Sequence, residues 1–164
     1  MGIVTSSAGC AYHVGTSTLY RPDIQTVHVP IFQSDSLRPE LGERLTEAVA
    51  REIEQSTSYK VVDDVHADSV IHGKIEHEYK RPLAEDRNDE PRDLELGFLV
   101  QTEWRDRSGN LLGRNASLPF ADSVITHGQT VHLIPEAGPS AVTQQQLAIE
   151  RLARQIVAQM EMPW

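Results

Sequence analysis

The sequence predicts an α+β fold: a two-layer sandwich with two helices packed on one face of a roughly four-stranded, mostly antiparallel sheet. Two segments, 37–56 and 140–162, carry apolar residues at offsets of three and four along one side only. Several segments between and before them alternate apolar and polar residues with period two, as half-buried strands do. One-sided helices and an alternating sheet bury their faces only on each other, which gives two layers. The expected order is β-α-β-β-β-α.

Residues 1–25 read as a signal remnant, a lipidation point and a flexible tether, and residues 26–164 as one domain. After Cys10 comes a polar lead-in, "GTSTLYRPDIQ". "TVHVPIF" then sets Val27, Val29 and Ile31 on one side of a strand, and Pro30, which lacks a ladder donor, argues for a sheet edge. In "LRPELGERLTEAVAREIEQS" Leu41, Leu45, Ala48, Val49 and Ile53 form the stripe, with Pro39 suited to the first turn. Gly42 weakens that helix by about 1 kcal/mol relative to alanine.

"YKVVDD" reads as a short strand. "DSVIHGKIEHEYKR" reads as a longer one with Ile71, Ile75, His77 and Tyr79 on a common face. "KRPLAEDRNDEPRD" is a charged hairpin tip or loop. "LELGFLVQTEWRD" alternates strictly, with Leu94, Leu96, Phe98, Val100, Thr102 and Trp104 on one face. "DRSGN" is a turn in which Gly109 takes positive φ. "LLGRNASLPFADSVI" reads as a returning strand that loosens toward Pro139. Ser140 is the expected N-cap of the last helix, whose stripe is Ile149, Leu152, Ala153, Ile156, Val157 and Met160, with Trp164 as an apolar end piece. "ADSVIHG" at 67–73 and "ADSVITHG" at 121–128 are alike, but their flanks differ, so no duplicated domain is read from them.

The 164 residues suit a single core, and 39% hydrophobic with 24% charged residues is ordinary for a globular chain. The formal net charge of −9 argues against nucleic acid as a partner. No apolar run reaches the roughly 18 residues of a membrane-spanning helix. One cysteine excludes an intrachain disulfide and a zinc site built on several thiolates. "SSAGC" sets small residues before that sole cysteine, the pattern of a bacterial lipidation point and equally of an inert thiol near a terminus. "MGIVTSSAG" is too short of apolar residues for a leader, so the expectation is a trimmed one.

Seven histidines invite a metal reading, with His66, Asp68 and His72 close in sequence and His72 sharing a strand face with Glu76. There is no HExxH or other ligand spacing, and Lys74 lies on that same face, so no metal is expected. His28 and His77 read as partly buried strand residues. No GxSxG, GxGxxG or GxxxxGK[ST] occurs, Cys10 has no preset base, and Asp63-Asp64 and Asp89-Glu90 fall in turns. "Asn115-Ala116-Ser117" matches a glycosylation sequon of little information. Neither catalysis nor a cofactor is expected. Lys80, Arg81, Arg92, Arg105 and Arg107 gather near strand ends, either as contacts for an anionic partner or as a solvated rim.

Several fragments, taken together and in order, resemble the LptE family of lipopolysaccharide-assembly lipoproteins. "GCAYHVG" resembles the start of the mature chains, and "TVHVPIF" with "LGERLTEAVAREIE" resembles the first strand and helix. "ADSVIHGKI", "DRSGNLL" and "AIERLARQIVAQMEMPW" resemble a later strand, an Asp-x-x-Gly turn and the C-terminal helix, so the likeness spans roughly residues 9–164. The resemblance implies a lipid on Cys10, anchorage to the periplasmic side of the outer membrane, and a non-catalytic role as partner and plug of an LptD-type β-barrel delivering lipopolysaccharide. On that implication Lys80, Arg81, Arg105 and Arg107 are the candidate contacts for anionic lipid or the barrel wall. A free-standing periplasmic binding or scaffold lipoprotein is the other reading.

Overall fold

Of the first expected strand, "TVHVPIF", only β1 (Thr26–His28) forms, ending before Pro30, and a second short strand, β2 (Gln33–Ser34), follows just past its expected end. The computed structural model describes residues 19–36, 38, 40–63, 66–85, 87, 91–113, 124–134 and 140–162. After β2 come α1 (Glu40–Ser56), β3 (Lys60–Val61), β4 (Ser69–Glu85), β5 (Pro91–Asp106), β6 (Ile125–Leu133) and α2 (Ala141–Ala158). The class is α+β, as expected.

The strand count and pairing differ from expectation. Among the described residues the sheet has six strands in the order β3-β1-β4-β5-β6, with β2 also on β4. It is mixed, because β1 runs parallel to β3 and β4, and β2 parallel to β4, while β4–β5 and β5–β6 are antiparallel. The cause is α1, which carries the chain back to the end of the sheet where β1 began. A strand entered after such a crossover runs parallel to the one before it. The returning strand is also later than expected: Leu111 makes only an isolated bridge to Arg105, and β6 begins at Ile125.

The helices bury the expected stripes, Leu41, Leu45, Ala48, Val49 and Ile53 in α1 and Ile149, Leu152, Ala153, Ile156 and Val157 in α2, with Met160 just beyond. Ser140 caps α2, its Oγ accepting from the Thr143 N–H at 3.2 Å. Facing the helices, Leu94, Leu96, Phe98, Val100, Thr102 and Trp104 of β5 are all buried. The core also reaches back before residue 26, because Tyr20 and Ile24 are buried in it and Tyr20 bridges Glu161.

Two expectations fail for local reasons. Ile31 is 68% exposed, because β1 stops before Pro30 and Phe32 takes the inward position. His77 and Tyr79 do not share a face with Ile71 and Ile75. The β4–β5 register shifts between Ile75 and His77, so Ile75 pairs with Val100 but His77 with Leu99. One extra residue in a strand reverses the facing of all that follow.

Gly42 proves necessary where the sequence suggested only a weak helix start. A Cβ there would lie 2.2 Å from the Phe32 carbonyl oxygen, and one on Gly73 would lie 2.3 Å from the Phe32 ring. Phe32 is thereby clamped between α1 and β4, which fixes the helix height over the sheet. The turn after β5 follows expectation: Gly109 has φ of 84°, and Asp106 Oδ1 accepts from the N–H groups of Ser108 and Asn110, each at 2.8 Å.

Candidate functional site: the open sheet face and the far end of the hairpin

β4 and β5 together make a long hairpin whose far strand ends belong to the stretch read as a charged tip. Register pairs Lys80 with Leu96, Arg81 with Glu95, Pro82 with Leu94 and Glu85 with Pro91, so much of that stretch is strand. On the face turned away from the helices, two rows cross three strands: Tyr79–Gly97–Thr130 and Arg81–Glu95–His132. Odd-numbered residues of β5 occupy this face because the even-numbered ones fill the core.

Tyr79 lies across the sheet rather than out from it. A Cβ on Gly97 would come within 2.1 Å of Tyr79 Cζ, so the glycine opens the space the ring occupies. Beside it Glu95 is only 9% exposed, with Arg81 Nε 2.9 Å from its Oε1 and Arg81 Nη2 donating to Oε2 at 3.3 Å. His132 Nδ1 stands 3.5 Å from Asp93 Oδ1. Tyr79, Leu83 and Ile134 are exposed at this end, and Val142 at the start of α2. Apolar groups and a paired guanidinium therefore meet solvent together.

Lys80 occupies the opposite face from Arg81. It lines a depression of about 390 Å³ with Arg38, Glu78, Leu96, Val142 and Gln145. Arg38 pairs with Glu78 at 3.4 Å, and Gln145 Nε2 donates to the same carboxylate at 3.5 Å.

Arg105 and Arg107 stand at the other end of the sheet. Arg105 donates to the Gly109 carbonyl at 2.7 Å and to the Glu103 carboxylate. The Arg107 N–H donates to the Asp68 carbonyl at 2.9 Å, and its exposed side chain lies near the Asp68 carboxylate. From Glu95 to Arg105 the strand runs roughly 33 Å at about 3.3 Å per residue. The four candidate cations therefore form two separate pairs.

Asp68 holds the second pair's end together. Its Oδ2 accepts from the Gln25 and Thr26 N–H groups and the Thr26 hydroxyl, at 3.0, 2.9 and 3.0 Å. Those bonds hold its carboxyl below the usual range. Asp106 is lowered likewise, first by the Asn110 side-chain amide. Deeper in, His127 Nε2 lies 3.0 Å from the Thr102 hydroxyl, which also bonds Gln159, and burial pushes the imidazole pKa down. Among the described residues no three His, Cys, Asp or Glu side chains converge as a metal site would require. His28 is half-buried with Nδ1 3.0 Å from the Val62 carbonyl, while the bulge leaves His77 exposed. Lys74, set beside His72 in the sequence, pairs with Asp35 at 2.7 Å.

Cys10, the Asn115-Ala116-Ser117 sequon, Pro39 and Trp164 lie outside the described residues. Sequence reasoning missed the exposed set of Tyr79, Leu83, Ile134 and Val142. Only the bulge and strand ends expose the first three, and no spacing in the sequence marks a bulge.

A family model described as LptE, lipopolysaccharide-assembly, matches residues 24–162. No curated protein matches the sequence. Among solved structures, an uncharacterized lipoprotein B from Nitrosomonas europaea is 18% identical, with a TM-score of 0.53 over 96% of this chain and 92% of that one. A PelC dodecamer from Paraburkholderia phytofirmans is 14% identical, with a TM-score of 0.54 over 90% and 96%. A protein from Xanthomonas campestris is 9% identical, with a TM-score of 0.54 over 86% and 88%. At these identities the structural likeness is one of fold.

Proposed function

The chain belongs to the LptE lipopolysaccharide-assembly family, and from that premise we propose that it is an outer-membrane lipoprotein that docks into an LptD-type β-barrel and assists lipopolysaccharide delivery without chemistry of its own. The observation that carries this reading is the family match across residues 24–162, which takes in both helices and every strand. Cys10 bears the lipid. Several acyl chains hold a protein stably at a bilayer where one alone holds it marginally. The segment from Cys10 to Leu19 would extend at most about 30 Å.

The open sheet face suits a barrel lumen. It presents His72, Lys74, Gln101 and Glu103 with the exposed Ile31 and Val124 beside them, a mixed surface of mostly polar groups, and barrel interiors are polar. The far hairpin end adds what a bare polar plug lacks, with Tyr79, Leu83 and Ile134 exposed beside Arg81. An aromatic and two aliphatic side chains next to a guanidinium match an acylated, phosphate-bearing lipid. Arg105 and Arg107, at the other end, would meet a different part of the partner.

The test is co-purification of the native protein with a large outer-membrane barrel, followed by lipopolysaccharide binding. A stoichiometric barrel complex supports the reading, and a monomer carrying a small soluble ligand supports the free-standing scaffold instead. Arg81→Glu with Arg105→Glu is expected to weaken lipopolysaccharide binding by about tenfold or more at low salt, and by less at high salt. Unchanged binding would count against those contacts. Mass spectrometry of the mature amino terminus tests the lipid on Cys10.

A further inference from the structure

The open face at the far hairpin end changes chemistry row by row. The row Tyr79–Gly97–Thr130 is followed by Arg81–Glu95–His132, two residues or about 6.6 Å further along the strands. Beyond the second row stand Leu83 and Ile134, 44% and 49% exposed. An aromatic ring and a hydroxyl thus give way to ionic groups, and these to aliphatic side chains. β4 and β6 carry the same gradient on either side of β5, so it belongs to the surface and not to one strand.

The first row is a low platform. Tyr79 Cζ, Cε1 and Oη lie within 2.4 Å of where a Cβ on Gly97 would stand, so the ring rests on β5 while 41% of the residue stays exposed. Gly128, next to Thr130 on the same face, adds no side chain, and a Cβ there would meet nothing within 4 Å. The second row is short of donors. Among the described residues Glu95 Oε1 and Asp93 Oδ1 are buried and accept no hydrogen bond. Arg81 Nε at 2.9 Å and His132 Nδ1 at 3.5 Å stand beside them, on side chains 63% and 59% exposed. A buried acceptor without a donor is costly, and a ligand hydroxyl entering beside such exposed side chains supplies one.

We propose that this surface seats a sugar-headed lipid lengthwise, with the sugar ring over Tyr79 and Gly128, its hydroxyls on the Arg81–Glu95–His132 row and its chain leaving past Leu83 and Ile134. The face of an aromatic ring is negative, so it attracts the polarised C–H groups on the flat side of a sugar, and a tyrosine laid down presents that face. Hydroxyls both donate and accept, as a row of carboxylates, guanidinium and imidazole requires. A protein partner would take a projecting aromatic into a pocket, whereas this ring does not project. A free sugar would leave the aliphatic pair unused, and an alkyl phosphate lacks both the ring face and the hydroxyl donors. Gly97 is then a positioning residue, because a Cβ in its place would displace the ring. The inference rests on the proposed function only for the natural ligand, and adds which end of that lipid lies where.

The experiment follows the backbone amides of the isotopically labelled full 164-residue chain by NMR while octyl glucoside, kept below its critical micelle concentration, is added. Saturable shifts at Gly97, Gly128 and Thr130 are expected. Octyl glucoside carrying a nitroxide at the end of its chain is expected to broaden Leu83 and Ile134 most. Octyl phosphate, with the same chain and no sugar, is expected to bind at least about tenfold more weakly. Tyr79→Ala and Gly97→Ala are each expected to weaken the glucoside about tenfold, and together no more than either alone, because both act through one ring. Tyr79→Ala leaves the β5 backbone untouched and carries the test where Gly97→Ala fails to fold. Equal binding of the phosphate, broadening strongest at Gly128, or unchanged affinity in Tyr79→Ala overturns the proposal. None of these readings depends on whether a barrel complex forms, so the proposed function can stand or fall separately.

Discussion

The two ends of the β4–β5 hairpin are built on opposite principles. Near Trp104, helix ends, both termini of the described chain and the start of the sheet interlock. Tyr59 meets Tyr20 edge to face, with centroids 5.7 Å apart, and Trp104 at a tilt, with centroids 6.1 Å apart. Tyr20 donates to the Ser56 carbonyl at 2.9 Å, Tyr59 accepts from the Arg21 N–H at 2.8 Å, and the Met162 N–H donates to the Leu19 carbonyl at 2.8 Å. At the far end, by contrast, Lys80, Arg81, Pro82, Leu83, Ala84 and Glu85 are all exposed, and Glu95 is held chiefly by one surface guanidinium. Burial concentrates stability at the first end and leaves the second free to present side chains to a partner.

The largest test of this contrast is a pair of truncations. Trp104→Ala removes a buried aromatic and is expected to cost about 3–5 kcal/mol in urea unfolding. Leu83→Ala at the far end is expected to change stability by less than about 0.5 kcal/mol. Similar losses at both sites would mean that the far end is packed after all, and would remove it as a presenting surface.

A smaller and pH-dependent effect sharpens the same division. His127 belongs to the buried side, and burial holds its folded-state pKa below the ordinary value of about 6.5. The unfolded chain therefore binds the proton first as pH falls. Stability is full above the unfolded pKa and declines from about pH 6.5 down to the lower folded value, where it levels off. His127→Gln keeps a polar group near Thr102 and is expected to flatten that part of the curve in urea midpoints measured across it. A slope unchanged by the substitution would assign the dependence to other histidines. Asp68 and Asp106, with lowered pKa values, keep their contributions above the ordinary carboxylate range, begin to lose them as pH falls through it, and have lost them below the lowered folded values.

The same contrast governs what the sequence made legible. The buried end follows from periodicity: the α1 and α2 stripes, the alternation from Leu94 to Trp104 and the Asp106–Asn110 turn all carry their burial in their spacing. Family identity was readable too, because the fragments resembling it are spread through both helices and several strands. The far end was not readable. A single bulge after Ile75 reverses His77 and Tyr79, and period-two reasoning carried across it assigns the wrong face. Pro30 marked a break that alternation alone smoothed over. Sequence proximity to strand ends grouped Arg81 with Arg105, but a strand of this length holds its two ends far apart.

The smallest expected effect separates structure from function at the far end itself. Arg81 is 63% exposed in its side chain while Glu95 is 11% exposed, so the pair joins a solvated cation to a nearly buried anion. An exposed ion pair contributes at most about 1 kcal/mol, because solvent screens it and a long side chain must be held still. Arg81→Ala is therefore expected to cost about 0.5–1 kcal/mol, mostly the penalty of leaving the Glu95 carboxylate without its partner. Glu95→Gln removes that charge, and in its background Arg81→Ala is expected to be nearly silent. A double-mutant cycle in urea measures the difference. If the coupling is as small as expected while Arg81→Ala still weakens lipid or barrel binding, the guanidinium serves the partner more than the fold. If the coupling reaches several kcal/mol, Arg81 belongs to the scaffold, and the presenting surface shrinks to Tyr79, Leu83 and Ile134.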